Sequence, residues 1–199
     1  MRKGHLFVLE GIDGTGKTTL ARMFAERLAE AGHGVELTRE PSDGVWGRRI
    51  RQSFLASARL GLKEECELFL LDRQEHVAHV ILPALRNGKL VVCDRYYFST
   101  MAYQGARGAN VNEIRVQNEQ VAPVPDIVFY LRLKPERALQ RIQELRGDTP
   151  NNFESLEYLR RVAAIFDAMD FPFFRRIDAD RPLDIVLQDM LSEVMPCLE

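Results

Sequence analysis

The chain has 199 residues and a mass of 22.8 kDa, enough to bury one substantial core without a disulfide or metal staple. Hydrophobic residues are 46% and charged residues 28%, a balance that excludes disordered and fibrous classes. Lys+Arg 27 against Asp+Glu 29 leaves a net charge of −2, so the surface as a whole is no polyanion magnet and any anion site must be local.

Cys66, Cys93 and Cys197 lie far apart and none stands at metal-ligand spacing from another, which suits a reducing cytoplasm. The first apolar stretch ends at Glu10, too short for a signal-peptide core, and no run approaches the roughly 20 residues of a membrane span. The expectation is a cytoplasmic protein with no membrane and no nucleic acid among its partners.

Leu6-Phe7-Val8-Leu9 reads as a buried strand that stops at a cluster of glycines. Leu20, Phe24, Ala25 and Leu28 then recur at three- and four-residue steps, predicting a helix over residues 17–31 with Gly32 as its stop. Val35-Glu36-Leu37-Thr38, Leu90-Val91-Val92-Cys93, Ile127-Val128-Phe129-Tyr130-Leu131 and residues 174–178 supply four more strands. Helical patterns fill the gaps at residues 47–56, 64–86, 111–121, 135–145, 156–169 and 183–194. Apolar strands alternating with helices predict an α/β fold, a parallel five-stranded sheet covered on both faces. One domain spans residues 1–199, and the polar, turn-rich segment at about 146–153 is expected to form a short mobile lid.

Gly11-Ile12-Asp13-Gly14-Thr15-Gly16-Lys17-Thr18 satisfies G-x-x-x-x-G-K-[ST] at every position, between a strand and a helix as that motif requires. It predicts the three-layer sandwich of P-loop NTPases. Glycines let backbone N–H groups turn toward phosphate, and the helix that begins near Lys17 adds the positive end of its dipole. Lys17 would reach the β- and γ-phosphates of ATP and the Thr18 hydroxyl would ligate Mg²⁺, with Thr19 beside it. A P-loop alone leaves the acceptor open, since GTPases, ATPases and kinases share it.

Four blocks narrow the choice: Leu9-Glu10-Gly11-Ile12-Asp13-Gly14; Thr38-Arg39-Glu40-Pro41; Asp94-Arg95-Tyr96 running on to Ser99-Thr100-Met101-Ala102-Tyr103-Gln104-Gly105; and Pro125-Asp126-Ile127-Val128-Phe129-Tyr130-Leu131. In these the chain resembles the bacterial-type thymidylate kinases, P-loop nucleoside monophosphate kinases that move a phosphoryl group from ATP to dTMP. The likeness runs from about residue 5 to residue 194. It implies that Asp13 touches the deoxyribose 3′-hydroxyl, that Phe69 stacks on thymine, that Arg73 bonds the base O4, and that Tyr103 lies against the sugar. It also implies acceptor-phosphate contacts from Arg95 and from Arg39 or Arg51, with Glu40 and Pro41 shaping their loop, and Asp94 near the metal and its water shell. Thr100 and Gln104, four apart, can both face the base edge, as hydrogen-bond readout of a base requires. The resemblance further implies a homodimer and Mg²⁺-dependent transfer without a covalent intermediate.

Read without the resemblance, Phe69 is a core residue, while a turn cap for Asp13 and half of a surface ion pair for Arg95 are the bland alternatives. Asn152 stands where relatives carry a lid arginine, so the charge facing the transferring phosphoryl group is assigned to Arg146 first and Arg141 second, with Arg160 able to turn toward the phosphates. The chain continues after Pro41 as Ser42-Asp43-Gly44 where many relatives have two glycines. His76 and His79 read as a solvated helix face, His5 and His33 as partnerless, and Trp46 as a cover for the acceptor or a subunit contact. Two rivals stay open: a kinase of another nucleoside monophosphate or of a deoxynucleoside, and a P-loop regulator without catalysis.

Overall fold

The computed structural model describes residues 4–55, 60–146 and 155–198. Five strands, β1 (His5–Glu10), β2 (Val35–Arg39), β3 (Leu90–Asp94), β4 (Ile127–Arg132) and β5 (Phe174–Asp178), form one sheet in the order β2-β3-β1-β4-β5 with every pair parallel. Every residue of β3 is buried, and β1 and β4 are buried except at His5 and Arg132, because helices cover both faces. The order reverses about β1, with β3 on one side and β4 on the other. That reversal opens a crevice beyond the carboxyl end of β1, where open α/β sheets bind ligands.

Helix α1 (Lys17–Glu30) packs on β1 and β3, and its buried stripe includes the predicted Leu20, Phe24, Ala25 and Leu28. The ring of Phe24 meets Phe7 and Phe129 edge-on at 6.0 and 5.5 Å, tying the helix to the sheet centre. Helix α2 is Val45–Leu55. The helix predicted over 64–86 is three pieces in a row: α3 (Leu62–His76), a π-helical turn (Val77–Ile81) and α4 (Leu82–Arg86). Pro83 explains the widening. It has no N–H for the carbonyl four residues back and its ring crowds that carbonyl, so the turns ahead of it loosen.

Helix α5 (Tyr97–Gly105) was not among the predicted elements. Its residues Tyr97, Phe98, Thr100, Met101, Ala102 and Gln104 are buried on almost every side, so no apolar stripe marks it. The remaining helices, α6 (Val111–Glu119), α7 (Pro135–Arg146), α8 (Leu156–Ala168) and α9 (Leu183–Leu198), fall within a few residues of expectation. Asn110 and Ser155 cap α6 and α8 with side-chain oxygens. His5 corrects the sequence reading: it is not partnerless, since its Nδ1 lies 3.1 Å from Asp126 Oδ1 while Oδ2 accepts from the Leu6 amide, pinning the start of β1 to the start of β4. Among the described residues no helix is long and apolar enough to cross a membrane.

Candidate functional site

The turn after β1 is shaped by its glycines. Gly14 has φ +83°, and a Cβ there would stand 2.5 Å from the Ala138 carbonyl oxygen, so only glycine lets the loop lie against α7. Gly16, also left-handed, starts α1 without a side-chain cap, leaving the helix's first amides to an incoming anion. Lys17 is buried and folds back over the loop, donating to Ile12 O at 2.6 Å and Thr15 Oγ1 at 3.3 Å. Burial, and then the neighbouring charge of Arg95, push its ammonium down to about 8.

Thr18 and Asp94 meet at the carboxyl ends of β1 and β3: Thr18 Oγ1 donates to Asp94 Oδ2 at 2.6 Å. Asp94 Oδ1 is buried with no hydrogen-bond partner among the described residues. A hydroxyl and an orphaned carboxylate oxygen side by side form a hard, all-oxygen donor pair that fits Mg²⁺. Next to them Asp13 is not a turn cap but a bridge. Its Oδ1 accepts from Arg95 Nη2 at 2.5 Å and its Oδ2 from Tyr103 OH at 2.9 Å, while the Tyr103 oxygen accepts from the Asp13 amide at 3.1 Å. The Arg95 guanidinium sits 5.2 Å from the Tyr103 ring centre. Arg95 is the one described non-glycine residue with positive φ, at 71°.

Glu10 lies just behind this group, and sequence reasoning gave it no role. It is fully buried, and burial pushes its carboxyl up to about 7 against the pull of Ser99, Arg95 and two amides. The signal was present: a carboxylate closing an otherwise apolar, buried strand.

A second cluster surrounds Arg73, which is 1% exposed. Its Nε donates to Glu40 Oε2 at 2.9 Å, Nη2 to the same oxygen and to Thr100 Oγ1 at 3.3 Å, and Nη1 to Asn118 Oδ1 at 2.5 Å. Among the described residues four of five N–H groups are thus engaged, which leaves one Nη1 hydrogen for a ligand. Glu40 Oε1 lies 3.1 Å from His76 Nδ1, and His76 Nε2 2.6 Å from Thr38 Oγ1. His76 therefore corrects the surface reading: it is buried, its ring held between Glu40 and Thr38, whereas His79 is exposed as expected. Asn118 was missed; its Nδ2 donates to Ile114 O, which fixes Oδ1 toward Arg73.

Glu65, Phe69 and Arg73 are successive four-residue steps on α3, opposite Gln104 and Thr100 on α5. At one end Arg73 meets Thr100; at the other Gln104 Nε2 donates to Glu65 Oε1 at 2.8 Å, and Arg107 pairs with Glu65 Oε2. Gln104 Oε1 is buried without a partner among the described residues. Phe69, half-buried rather than core, lies between these polar ends, so the strip offers an aromatic face flanked by an N–H and a carbonyl acceptor.

The loop of Arg39, Glu40 and Pro41, with a cis Glu40–Pro41 bond, is braced from two sides. Asp72 accepts from the Ser42 amide and hydroxyl at 2.9 and 2.5 Å, and Arg51 Nη1 donates to Pro41 O and Ser42 O, each at 2.7 Å. Gly47 allows α2 to lie on this loop, since a Cβ there would stand 1.9 Å from Ser42 O. Arg39 Nη2 and Arg51 Nη2 both donate to Asp43 Oδ1 at 3.0 Å. A cleft of about 730 Å³ lined by Thr18, Thr19, Arg39, Asp43, His76 and Asp94, among others, joins this loop to the phosphate end of α1.

Arg146 closes α7, but its side chain, like residues 147–153 of the expected lid, lies outside the described residues. Arg141 turns away, donating to Ala179 O at 2.9 Å and pairing with Asp180, and Arg160 pairs with Glu136. Trp46 is half-buried, with Arg49 6.0 Å above its ring.

A family model described as thymidylate kinase matches residues 9–190. A thymidylate kinase of Desulfotalea psychrophila is 42% identical over 196 residues, covering 98% of this chain and 96% of its own. One of Xanthomonas euvesicatoria is 45% identical over 195 residues, covering 98% of this chain and 85% of its own.

Proposed function

The chain belongs to the thymidylate kinase family and phosphorylates dTMP with ATP, and from that premise we propose how its residues divide the work. Lys17 and the amides of residues 11–19 hold the ATP phosphates. Thr18 and Asp94 hold Mg²⁺, which when bound supplies positive charge to the phosphoryl oxygens. Arg95, with Arg39 or Arg51, holds the acceptor phosphate; Asp13 and Tyr103 meet the sugar. Phe69 stacks on the base, Arg73 donates its remaining N–H to O4, and Gln104 Oε1 accepts from N3–H.

The observation that carries the acceptor reading is the orphaned Gln104 Oε1 at one end of the strip and the single unengaged Arg73 N–H at the other. Thymine presents a carbonyl and an N–H on one edge, the complementary pair. Cytosine presents an amino donor and an acceptor nitrogen there, and would leave both protein groups facing like partners. Catalysis is then positioning and charge neutralisation along the line from Lys17 to Arg95, with no covalent intermediate. We also propose a cytoplasmic homodimer, with the exposed apolar side chains Phe54, Leu55 and Leu71 on α2 and α3 as its face.

A coupled assay across dTMP, dUMP, dCMP and dGMP tests the base assignment. The expected result is preference for dTMP, with dCMP disfavoured by about a thousandfold or more in kcat/KM, the penalty for leaving buried polar groups unpaired. Comparable turnover of dCMP would sink it.

A further inference from the structure

We propose that Glu10 is a positioning residue for the acceptor clamp, its carboxylate at the end of the donor strand fixing Arg95 through Ser99 and the first turn of α5. The inference rests on the reading of Arg95 as an acceptor-phosphate ligand.

Both Glu10 oxygens are committed to one place. Oε1 accepts from the amides of Tyr96 at 2.8 Å and Ser99 at 3.0 Å, and Oε2 accepts from Ser99 Oγ at 2.6 Å. Tyr96 is the N-cap of α5 and Ser99 its third residue, and the helix has no side-chain cap of its own. Glu10 thus supplies from β1 what a local Ser or Asp supplies at other helices. Because the Ser99 hydroxyl hydrogen points to Glu10, its oxygen presents a lone pair to Arg95 Nη1, which donates to it at 3.0 Å.

Arg95 is tied to the same stretch twice more: its amide donates to Leu9 O at 3.0 Å and Nη1 to Gly11 O at 3.3 Å. Three consecutive residues, the last of them the first of the P-loop, therefore join Asp13 in dictating where this guanidinium stands. A left-handed backbone at a non-glycine residue persists only where its surroundings over-determine it, and these bonds do so. The arrangement requires two accepting oxygens. An amide NH₂ in place of Oε2 would donate to Ser99 Oγ, and the hydroxyl hydrogen would then have no acceptor while Arg95 competed for the same oxygen. Glu10 in this way registers the acceptor grip against the donor loop, the relation an in-line transfer depends on.

The test is steady-state kinetics of the full chain with each substrate varied in turn. Glu10→Gln should raise KM for dTMP about tenfold, the worth of a hydrogen bond to a charged group, and leave KM for ATP within about twofold. Ser99→Ala should act in the same direction with smaller effect, and the double variant should be no worse than Glu10→Gln alone. Glu10→Asp, which keeps the charge but shortens the reach, should recover part of the loss. Equal rises in both KM values, or additive losses in the double variant, would mean general structural damage and overturn the inference. Should Glu10→Gln fail to fold, Ser99→Ala decides on the same dTMP-versus-ATP split. Arg95→Ala separates the two layers. If it leaves KM for dTMP unchanged, the Arg95 reading falls; if it raises KM while Glu10→Gln and Ser99→Ala do not, only the role of Glu10 falls.

Discussion

Around residues 11–18 the candidate binding groups are backbone amides and one ammonium, and the glycines that shape them are neighbours in sequence. Around Arg73 they are polar and charged side chains drawn from β2 and the loop after it, α3, α5 and α6, each held by another: Glu40 by Arg73 and His76, Arg73 by Asn118 and Thr100, His76 by Thr38. The donor side reaches its geometry by local chain conformation and leaves its cation under-compensated. The acceptor side reaches it by mutual neutralisation of buried charges, so that function and stability share the same bonds.

The largest expected effect breaks that sharing. Arg73→Ala leaves Glu40 buried with His76 as its one remaining ionisable partner, and removing one member of a buried ion pair typically costs about 3–5 kcal/mol. Denaturant unfolding should show a loss of that order together with loss of dTMP binding. A variant that loses dTMP affinity at unchanged stability would show that the cluster is not a mutual brace.

How much of this was legible in the sequence follows the same division. The P-loop, the five strands and the Arg95 and Asp94 positions could be read because each depends on residues close together: glycines at fixed offsets, β-branched runs, a polar pair ending a strand. Helix α5 could not, because a helix buried on nearly every side carries no periodic contrast between apolar and polar faces. His76 ends α3 and His79 lies three residues on in the π-helical turn, and the two have opposite fates. Glu40, thirty-six residues earlier, makes the difference, and nothing local to α3 records it. Asn118 and Glu10 were missed for the same reason, since the partner that defines each lies 45 and 86 residues away.

A smaller effect sharpens the donor side. With the ammonium of Lys17 held at about 8, roughly half the unliganded molecules carry it neutral at pH 8. Triphosphate placed against it raises that value, so ATP binding at pH 8 should take up about half a proton, rising toward one near pH 9 and vanishing below about pH 6.5. Calorimetry with metal-free ATP in two buffers of different ionisation enthalpy measures the uptake directly. Release of protons, or no exchange at pH 8, would show that Lys17 is already fully charged before the nucleotide arrives.

The smallest effect concerns Asp43. Its Oδ1 accepts from Arg39 and Arg51 at 3.0 Å each, and the hydrogen bond from Arg39 holds its carboxyl below the ordinary range. An acceptor phosphate would have to displace that carboxylate from one or both arginines, so Asp43 acts as an internal competitor. The competition is weak, because Asp43 is exposed and surface pairs are worth at most about 1 kcal/mol. Asp43→Asn should therefore lower KM for dTMP by about two- to threefold at low salt, and the gain should fade as ionic strength rises and screens the pair. The loop should keep its shape meanwhile, since Arg51 Nη1 still donates to Pro41 O and Ser42 O and Arg48 to Asp43 O. An unchanged KM at low salt would mean that Arg39 and Arg51 do not meet the acceptor phosphate, and would leave Arg95 as its sole arginine ligand among the three. At Asp43, where the acceptor side is exposed, its charges are then tuned against a ligand rather than against one another.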